Sequence, residues 1–296
     1  MTPEAYCEHK AAKSGSSFYY SFLFLSPEKR QAMMALYAFC REVDDIVDES
    51  TDKSVARHQM KWWSEEINRL FEGTPQHPIT RALKPHLATL KWEQQWFKDV
   101  LYGMRMDLEH PLYENFEDLE QYCYYVAGVV GILSAYLFGF KSENTLTFAK
   151  NLGIALQLIN IIRDLREDAI RGRVYIPESD LKISGLTPSD ILNQTASQAG
   201  LEKTLQLMAT RAKNYFQKAF DALPEADRYA QISGIIMGQI YIELLKIIED
   251  SGFKVMTHRI SLTPIKKLWI AWKTFRQEKK RFRRYQRRQT SHHVAA

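Results

Sequence analysis

Residues 152–168 read LGIALQLINIIRDLRED. From Leu152 to Ile162 apolar side chains fall on nearly every side of a 3.6-residue period, which predicts a helix with no face for water, central to a large bundle. The polar exceptions along the stretch include Gln157, Asn160, Asp164 and Asp168, at offsets 0, 3, 7 and 11, and so on one face. Residues 32–47 repeat the pattern. Met33, Leu36, Phe39, Cys40, Val43, Ile46 and Val47 surround a stripe of Tyr37, Arg41, Asp44 and Asp48, at offsets 0, 4, 7 and 11.

The rest of the chain also reads as helix. Ser26-Pro27 is a start signal, an N-cap followed by Pro at the first helical position. That helix runs to about residue 50, and the next covers 54–71 and stops at Gly73-Thr74-Pro75. Further helices are expected at 78–90, 93–108, 116–139, 143–171, 201–222 and 225–251. Residues 172–199, rich in Gly, Pro and Ser, are the least regular stretch. No segment alternates with period two and β-branched enrichment, so the expected fold class is all-α.

The 296 residues are 45% hydrophobic and 25% charged, an ordinary globular composition that excludes general disorder. Cys7, Cys40 and Cys123 are too few and too scattered for a disulfide framework or a zinc pattern, which fits a reducing cytosol. No His pair has metal-ligand spacing. The first residues, MTPEAYCEHK, lack the apolar core of a signal peptide. The longest nearly uncharged apolar run, 126–140, falls short of the ~20 residues needed to span a bilayer.

Charge is segregated. Residues 264–290 carry eleven Lys and Arg against the single acid Glu278, for +10, and the remainder is −5. The expected division is a helical domain over 1–263 and a basic amphipathic segment over 264–296. There Leu268, Trp269, Trp272 and Phe275 sit among Lys266, Lys267, Lys273, Arg276, Lys279 and Lys280, a pattern suited to an anionic membrane surface. The expected location is cytoplasmic, peripheral at the inner face of the membrane. A nucleic-acid partner would explain the segment's charge but not the acidic stripes, and none is expected.

Burying a carboxylate without a partner costs several kcal/mol. Two Asp one turn apart can present oxygens to Mg²⁺, a hard cation that keeps waters and takes phosphate oxygens as co-ligands. Two such stripes facing each other would enclose Mg²⁺ and diphosphate. Asn160 adds a neutral oxygen, and Arg41 and Arg163 would take the phosphate oxygens that the metals leave free. A single DxxxD is ordinarily a solvated face, as Glu114 and Asp118 read here. Two copies on apolar helices, each with aligned Arg or amide neighbours, are hard to explain that way.

At these residues the sequence resembles the squalene/phytoene synthase family. YAFCREVDDIVDE (37–49) and LQLINIIRDLREDAIRGRVYIP (156–177) match its two signature regions in order, spacing and type. YCYYVAGVVG (122–131) is similar to its substrate-lining helix, and SGSSFYYSF (14–22) to its N-terminal segment. The resemblance covers about 14–267, and in detail is greatest to bacterial presqualene diphosphate synthases of the hopanoid/squalene pathway.

The resemblance implies a single-domain isoprenoid-synthase helical bundle with a central cavity. It implies Mg²⁺-dependent head-to-head (1'-1) condensation of two farnesyl diphosphates to presqualene diphosphate, Mn²⁺ being able to substitute and no NADPH being expected. Phytoene synthesis from geranylgeranyl diphosphate, or continuation to squalene or dehydrosqualene, are the alternatives. Asp44, Asp48, Asn160, Asp164 and Asp168 would hold Mg²⁺. Tyr37, Arg41 and Arg163 would hold diphosphate, and Gln157 would face the reacting carbons. Tyr241 and Arg259 fall near C-terminal diphosphate contacts, and Ser17 near an N-terminal one. Phe18, Tyr37 and Tyr122 are candidates for cation–π stabilisation of a carbocation. The small-residue run containing Val126, Ala127 and Gly131 would let a ligand approach its helix. The loop with Arg171, Arg173 and Tyr175 would close over the diphosphates.

Overall fold

The computed structural model describes residues 1–13, 21–50, 52–109 and 112–294. Ser17 and Phe18 lie outside them. The described residues form helices and no strand, as the periodicity predicts. In chain order the α-helices are α1 (Pro3–Lys13), α2 (Pro27–Glu49), α3 (Lys53–Glu72), α4 (Pro78–Leu83), α5 (Leu87–Leu90), α6 (Gln94–Glu109), α7 (Phe116–Cys123) and α8 (Val129–Phe138). Then come α9 (Asn144–Arg163), α10 (Leu165–Ile170), α11 (Glu178–Ile183), α12 (Pro188–Leu192), α13 (Gln198–Ala222), α14 (Ile232–Asp250) and α15 (Pro264–Val294).

Local signals set the boundaries. Ser26 precedes α2 with Pro27 at its first position. The Asp52 carboxylate accepts from the Ser54 N–H at 2.7 Å to open α3. Gly73, at φ +87°, closes it by donating to the Arg69 and Leu70 carbonyls, a left-handed conformation that glycine adopts without strain.

Two apolar clusters make the core. One gathers α2, α3, α6 and α8 around Phe39, Phe97 and Leu133. The other gathers α9, α13 and α14 around Phe148, Ile159 and Ile236. Helix α9 is the centre, buried from Thr145 to Ile162 on almost all sides. The polar stripes run along the seam between the two clusters.

Three features beyond the sequence reading matter for the site. The expected helix 116–139 is interrupted by one π-type turn over Tyr124–Gly128. The expected helix 143–171 kinks at Asp164, whose ψ of 13° ends α9 before α10 resumes. Backbone bonds from Asp164 N–H to Asn160 and from Asp168 N–H to Asp164 carry the chain through, so the stripe keeps its face. Third, α15 is not a free tail. Ile270, Ala271, Thr274 and Glu278 are buried against the body. Arg228 grips Glu278 with Nε–Oε2 at 3.0 Å, and Phe275 stacks on Phe24.

Phe116–Phe138 and Asn144–Arg163 are both long and apolar enough to cross a membrane. Each carries charged residues and so extends beyond any uncharged run. In this fold 72% of the second stretch's most apolar window is buried in protein, as its central place in the bundle requires.

Candidate active site

Helix α2 delivers Tyr37, Arg41, Asp44 and Asp48 to one wall of a cavity of about 900 Å³. Helices α9 and α10 deliver Gln157, Asn160, Arg163, Asp164 and Asp168 to the same cavity. Tyr122, Val126, Arg173, Tyr241 and Arg259 also line it. Met104, Ile161, Ile240, Leu244 and Leu262 supply apolar surface. The lining is therefore mostly charged and polar, with apolar side chains among these groups.

The acids are held by arginines. Arg41 Nη1 donates to Asp44 Oδ2 at 2.9 Å, and its Nη2 lies 2.6 Å from Asp45 Oδ1. Arg173 donates from Nη1 to Asp48 Oδ1 at 2.7 Å and from Nη2 to the Val47 carbonyl at 2.9 Å. That pair ties the loop after α10 to the end of α2. Arg163 pairs with Asp164 beside it, and Arg259 Nε donates to Asp164 Oδ1 at 2.9 Å. Tyr241 OH donates to Asn160 Oδ1 at 3.0 Å, and Asn160 Nδ2 to Gln157 Oε1 at 3.3 Å.

The charge balance is uneven. Burial pushes the Asp168 carboxyl up to about 8, Asp164 adding to it against Arg173 and Arg171. Burial, with Asp48 beside it, raises Asp44 to about 7 despite Arg41. Asp164 goes the other way: burial opposes ionisation, but its bond to Arg163 and the charges of Arg163 and Arg259 prevail. Asp44 and Asp168 are thus the carboxyls whose burial the neighbouring arginines compensate least.

The donors are two carboxylates on one wall, and two with an amide oxygen on the other. All are hard oxygen ligands of the kind Mg²⁺ takes. Among the described residues no three His, Cys, Asp or Glu side chains converge closely enough to hold an ion as they stand. Asp44 and Asp168, buried with least compensation from arginine, nonetheless fit a divalent cation chemically. Asp44, Asp48, Asn160, Asp164 and Asp168 are the residues that would hold it.

Two expected contacts take another role. The structure places Ala127 and Gly131 at helix contacts rather than on the cavity wall. A Cβ on Gly131 would collide with the Ala149 carbonyl, and one on Gly153 with the Ala127 carbonyl. The small-residue run serves close approach of α8 and the π-type turn to α9.

Sequence reasoning passed over Asp107. This residue of α6 lines the cavity and accepts from Tyr122 OH at 2.9 Å and Tyr175 OH at 2.8 Å. The Tyr122 and Tyr175 rings stack at 5.2 Å, with Tyr113 against both. Burial raises the Asp107 carboxyl to about 6, although Arg173 and both phenols oppose the shift. Phe97, Val100, Leu101, Met104 and Leu108 bury one side of α6, and Asp107 is three residues after Met104 on that side. That is the same signal that marks the two stripes. Tyr6, His9 and Lys10 of α1 also reach the cavity, Lys10 pairing with Glu42 at 2.7 Å and Asp45 at 2.8 Å.

Comparison with known proteins agrees with this geometry. The sequence profile described as squalene/phytoene synthase matches residues 11–266. A chloroplastic phytoene synthase of Daucus carota is 34% identical over 276 residues, covering 90% of this chain and 68% of its own length. The chain spans 66% of the length of the phytoene synthase of an Oncidium hybrid cultivar, at 33% identity and covering 90% of this chain. Among solved structures, a dehydrosqualene synthase crystallised with a ligand superposes with a TM-score of 0.82. It is 29% identical and covers 94% of this chain and 97% of that one.

Proposed function

Because the chain belongs to the squalene/phytoene synthase family, whose members bind prenyl diphosphates, we propose that it joins two farnesyl diphosphates head to head into presqualene diphosphate, releasing diphosphate. The observation that carries this reading is the pairing of two acidic stripes, each with its own arginines, across one cavity that also presents apolar side chains. About 900 Å³ lies near the top of the range for single small-molecule pockets, as two long substrates require.

In the reaction the C1–O bond of one substrate breaks and its diphosphate leaves with the electron pair. The C2=C3 double bond of the second substrate attacks C1. Transfer of one proton to the departed diphosphate closes the cyclopropane, and the second diphosphate is retained. When bound, Mg²⁺ supplies Lewis-acid neutralisation of the departing diphosphate. The protein's own groups do the rest. Arg41, Arg163 and Arg259 bind phosphate oxygens, and Arg173 fastens the loop across the acids. Tyr37 and the stacked Tyr122 and Tyr175 present aromatic surface to positive charge, and Met104, Ile161, Ile240 and Leu244 give the hydrocarbon chains apolar contact.

A second reading, phytoene formation from geranylgeranyl diphosphate, is favoured by the names of the curated relatives at 33–34% identity. Product analysis after incubation with Mg²⁺ and each prenyl diphosphate separates the two. The first reading expects a C30 product that still carries one diphosphate, changed little by NADPH. Squalene on adding NADPH, or a much higher kcat/KM for phytoene from the C20 substrate, would overturn it.

A further inference from the structure

Helix α15 presents two unlike faces. Ile270, Ala271, Thr274 and Glu278 are buried against the body. On the opposite side Ile265, Leu268, Trp269 and Trp272 are 80%, 45%, 54% and 51% exposed. Their offsets of 0, 3, 4 and 7 make one apolar strip. Arg276, Lys279 and Arg283 continue that outward face, with Lys273 and Lys280 flanking it. Lys273 Nζ lies 4.9 Å from the Trp269 ring and the Arg276 guanidinium 4.9 Å from that of Trp272, so cation and indole are already paired.

The strip begins at the rim of the cavity. Arg259, Ser261 and Leu262, which lead into α15, line the cavity together with Lys267 in its first turn. Arg259 and Ser261 are also open to solvent.

We infer that the outward face of α15 seats the cavity rim on an anionic lipid bilayer. Ile265, Leu268, Trp269 and Trp272 enter the headgroup–acyl boundary, and Lys273, Arg276, Lys279 and Arg283 meet lipid phosphates. Indoles beside basic side chains on an amphipathic helix are the composition that such an interface selects. Charge complementarity chooses the occupant, because a second copy would set one +10 segment against another. The use of the contact, to pass hydrocarbon substrate and product between bilayer and cavity, rests on the function proposed above. The surface itself does not.

Truncation is a poor test, because Phe275, Glu278 and Phe282 hold α15 on the body. Point variants of exposed residues avoid this. The full-length protein, Trp269→Ser/Trp272→Ser and Arg276→Glu/Arg283→Glu are pelleted with phosphatidylcholine vesicles, with and without phosphatidylglycerol, across a salt series. Wild type should pellet with the anionic vesicles only, and release as salt shortens the Debye length. Each double variant should lose at least tenfold in apparent partition, with circular dichroism and turnover in detergent micelles unchanged. Wild-type pelleting by both variants, or equal pelleting on neutral and anionic vesicles, would overturn the inference. So would a wild-type dimer that the Trp variant dissociates without any change in pelleting. Intact pelleting by a wild type that turns over no prenyl diphosphate would refute the proposed function and leave the docking standing.

Discussion

Asp107 shows what a single side chain decides in this site. Its two oxygens fix the hydroxyls of Tyr122 and Tyr175, which fixes the angle at which two stacked rings face the cavity. Asp107→Asn keeps an acceptor but loses the charge and one of the two matched bonds. It is expected to lower kcat about tenfold or more with KM changed little, because the rings lose alignment while the diphosphate anchors stay. Asp107→Ala should in addition cost about 1–3 kcal/mol of stability, by leaving phenols without their acceptor. Steady-state kinetics with a denaturation curve for each variant checks this. Unchanged kcat in Asp107→Asn would make the residue structural only. The periodicity that marks Asp44 and Asp164 marks Asp107 too. What hid it is its place at the end of α6, beside Glu109 and His110, where acids usually face water. Lys10 was hidden differently: nothing local in a short helix of weak amphipathicity says that it reaches Glu42 and Asp45, and only the packing of α1 on α2 brings them together.

At the scale of elements, the helices that carry the site were legible because each is long, periodic and punctuated by Ser-Pro, Gly or Pro. Their interruptions were not. The kink at Asp164 lies inside a continuous helical pattern and the π-type turn at Tyr124–Gly128 inside an apolar one, with no Gly-Pro or Ser-Pro signal to mark either. Small residues such as those at 126–131 let either a ligand or a neighbouring helix come close. The colliding Cβ positions at Gly131 and Gly153 decide for contact. Gly153→Val is therefore expected to destabilise by about 3 kcal/mol or more, since the Ala127 carbonyl is backbone and cannot step aside as a side chain would. A thermal melt checks it, and a wild-type melting temperature would refute the contact. The basic C-terminal segment illustrates the limit of charge counting. The +10 was plain in the sequence, but its docking through Phe275, Glu278 and Phe282 depends on partners at Phe24, Arg228 and Tyr229, far away in the chain.

Across the whole molecule, the uneven charge of the cavity couples folding to pH and to cations. Asp168 is raised in the folded state to about 8 from an ordinary carboxyl value near 4, so the folded protein holds that proton more tightly than the unfolded chain. Its favourable contribution is present at low pH and is lost as pH rises toward 8. Without metal, Asp168→Asn should therefore raise the melting temperature at pH 8, by ~2–4 °C for each kcal/mol relieved, and do little near pH 4. Mg²⁺ should raise the melting temperature of wild type at pH 8 and raise that of the variant much less. Melting curves at both pH values, with and without Mg²⁺, check both halves. A variant that is less stable at pH 8 would show that Asp168 is satisfied by arginine alone.

Under the proposed function, the stripes on α2 and on α9–α10 act together as one cation-dependent diphosphate site. Calorimetric titration of inorganic diphosphate tests it without requiring turnover. It is run with and without Mg²⁺ on wild type, on Asp44→Asn/Asp48→Asn and on Asp164→Asn/Asp168→Asn. Binding that needs Mg²⁺ and weakens at least a hundredfold when either stripe is neutralised is the predicted result. Binding that ignores Mg²⁺, or that survives the loss of one stripe unchanged, would contradict the account.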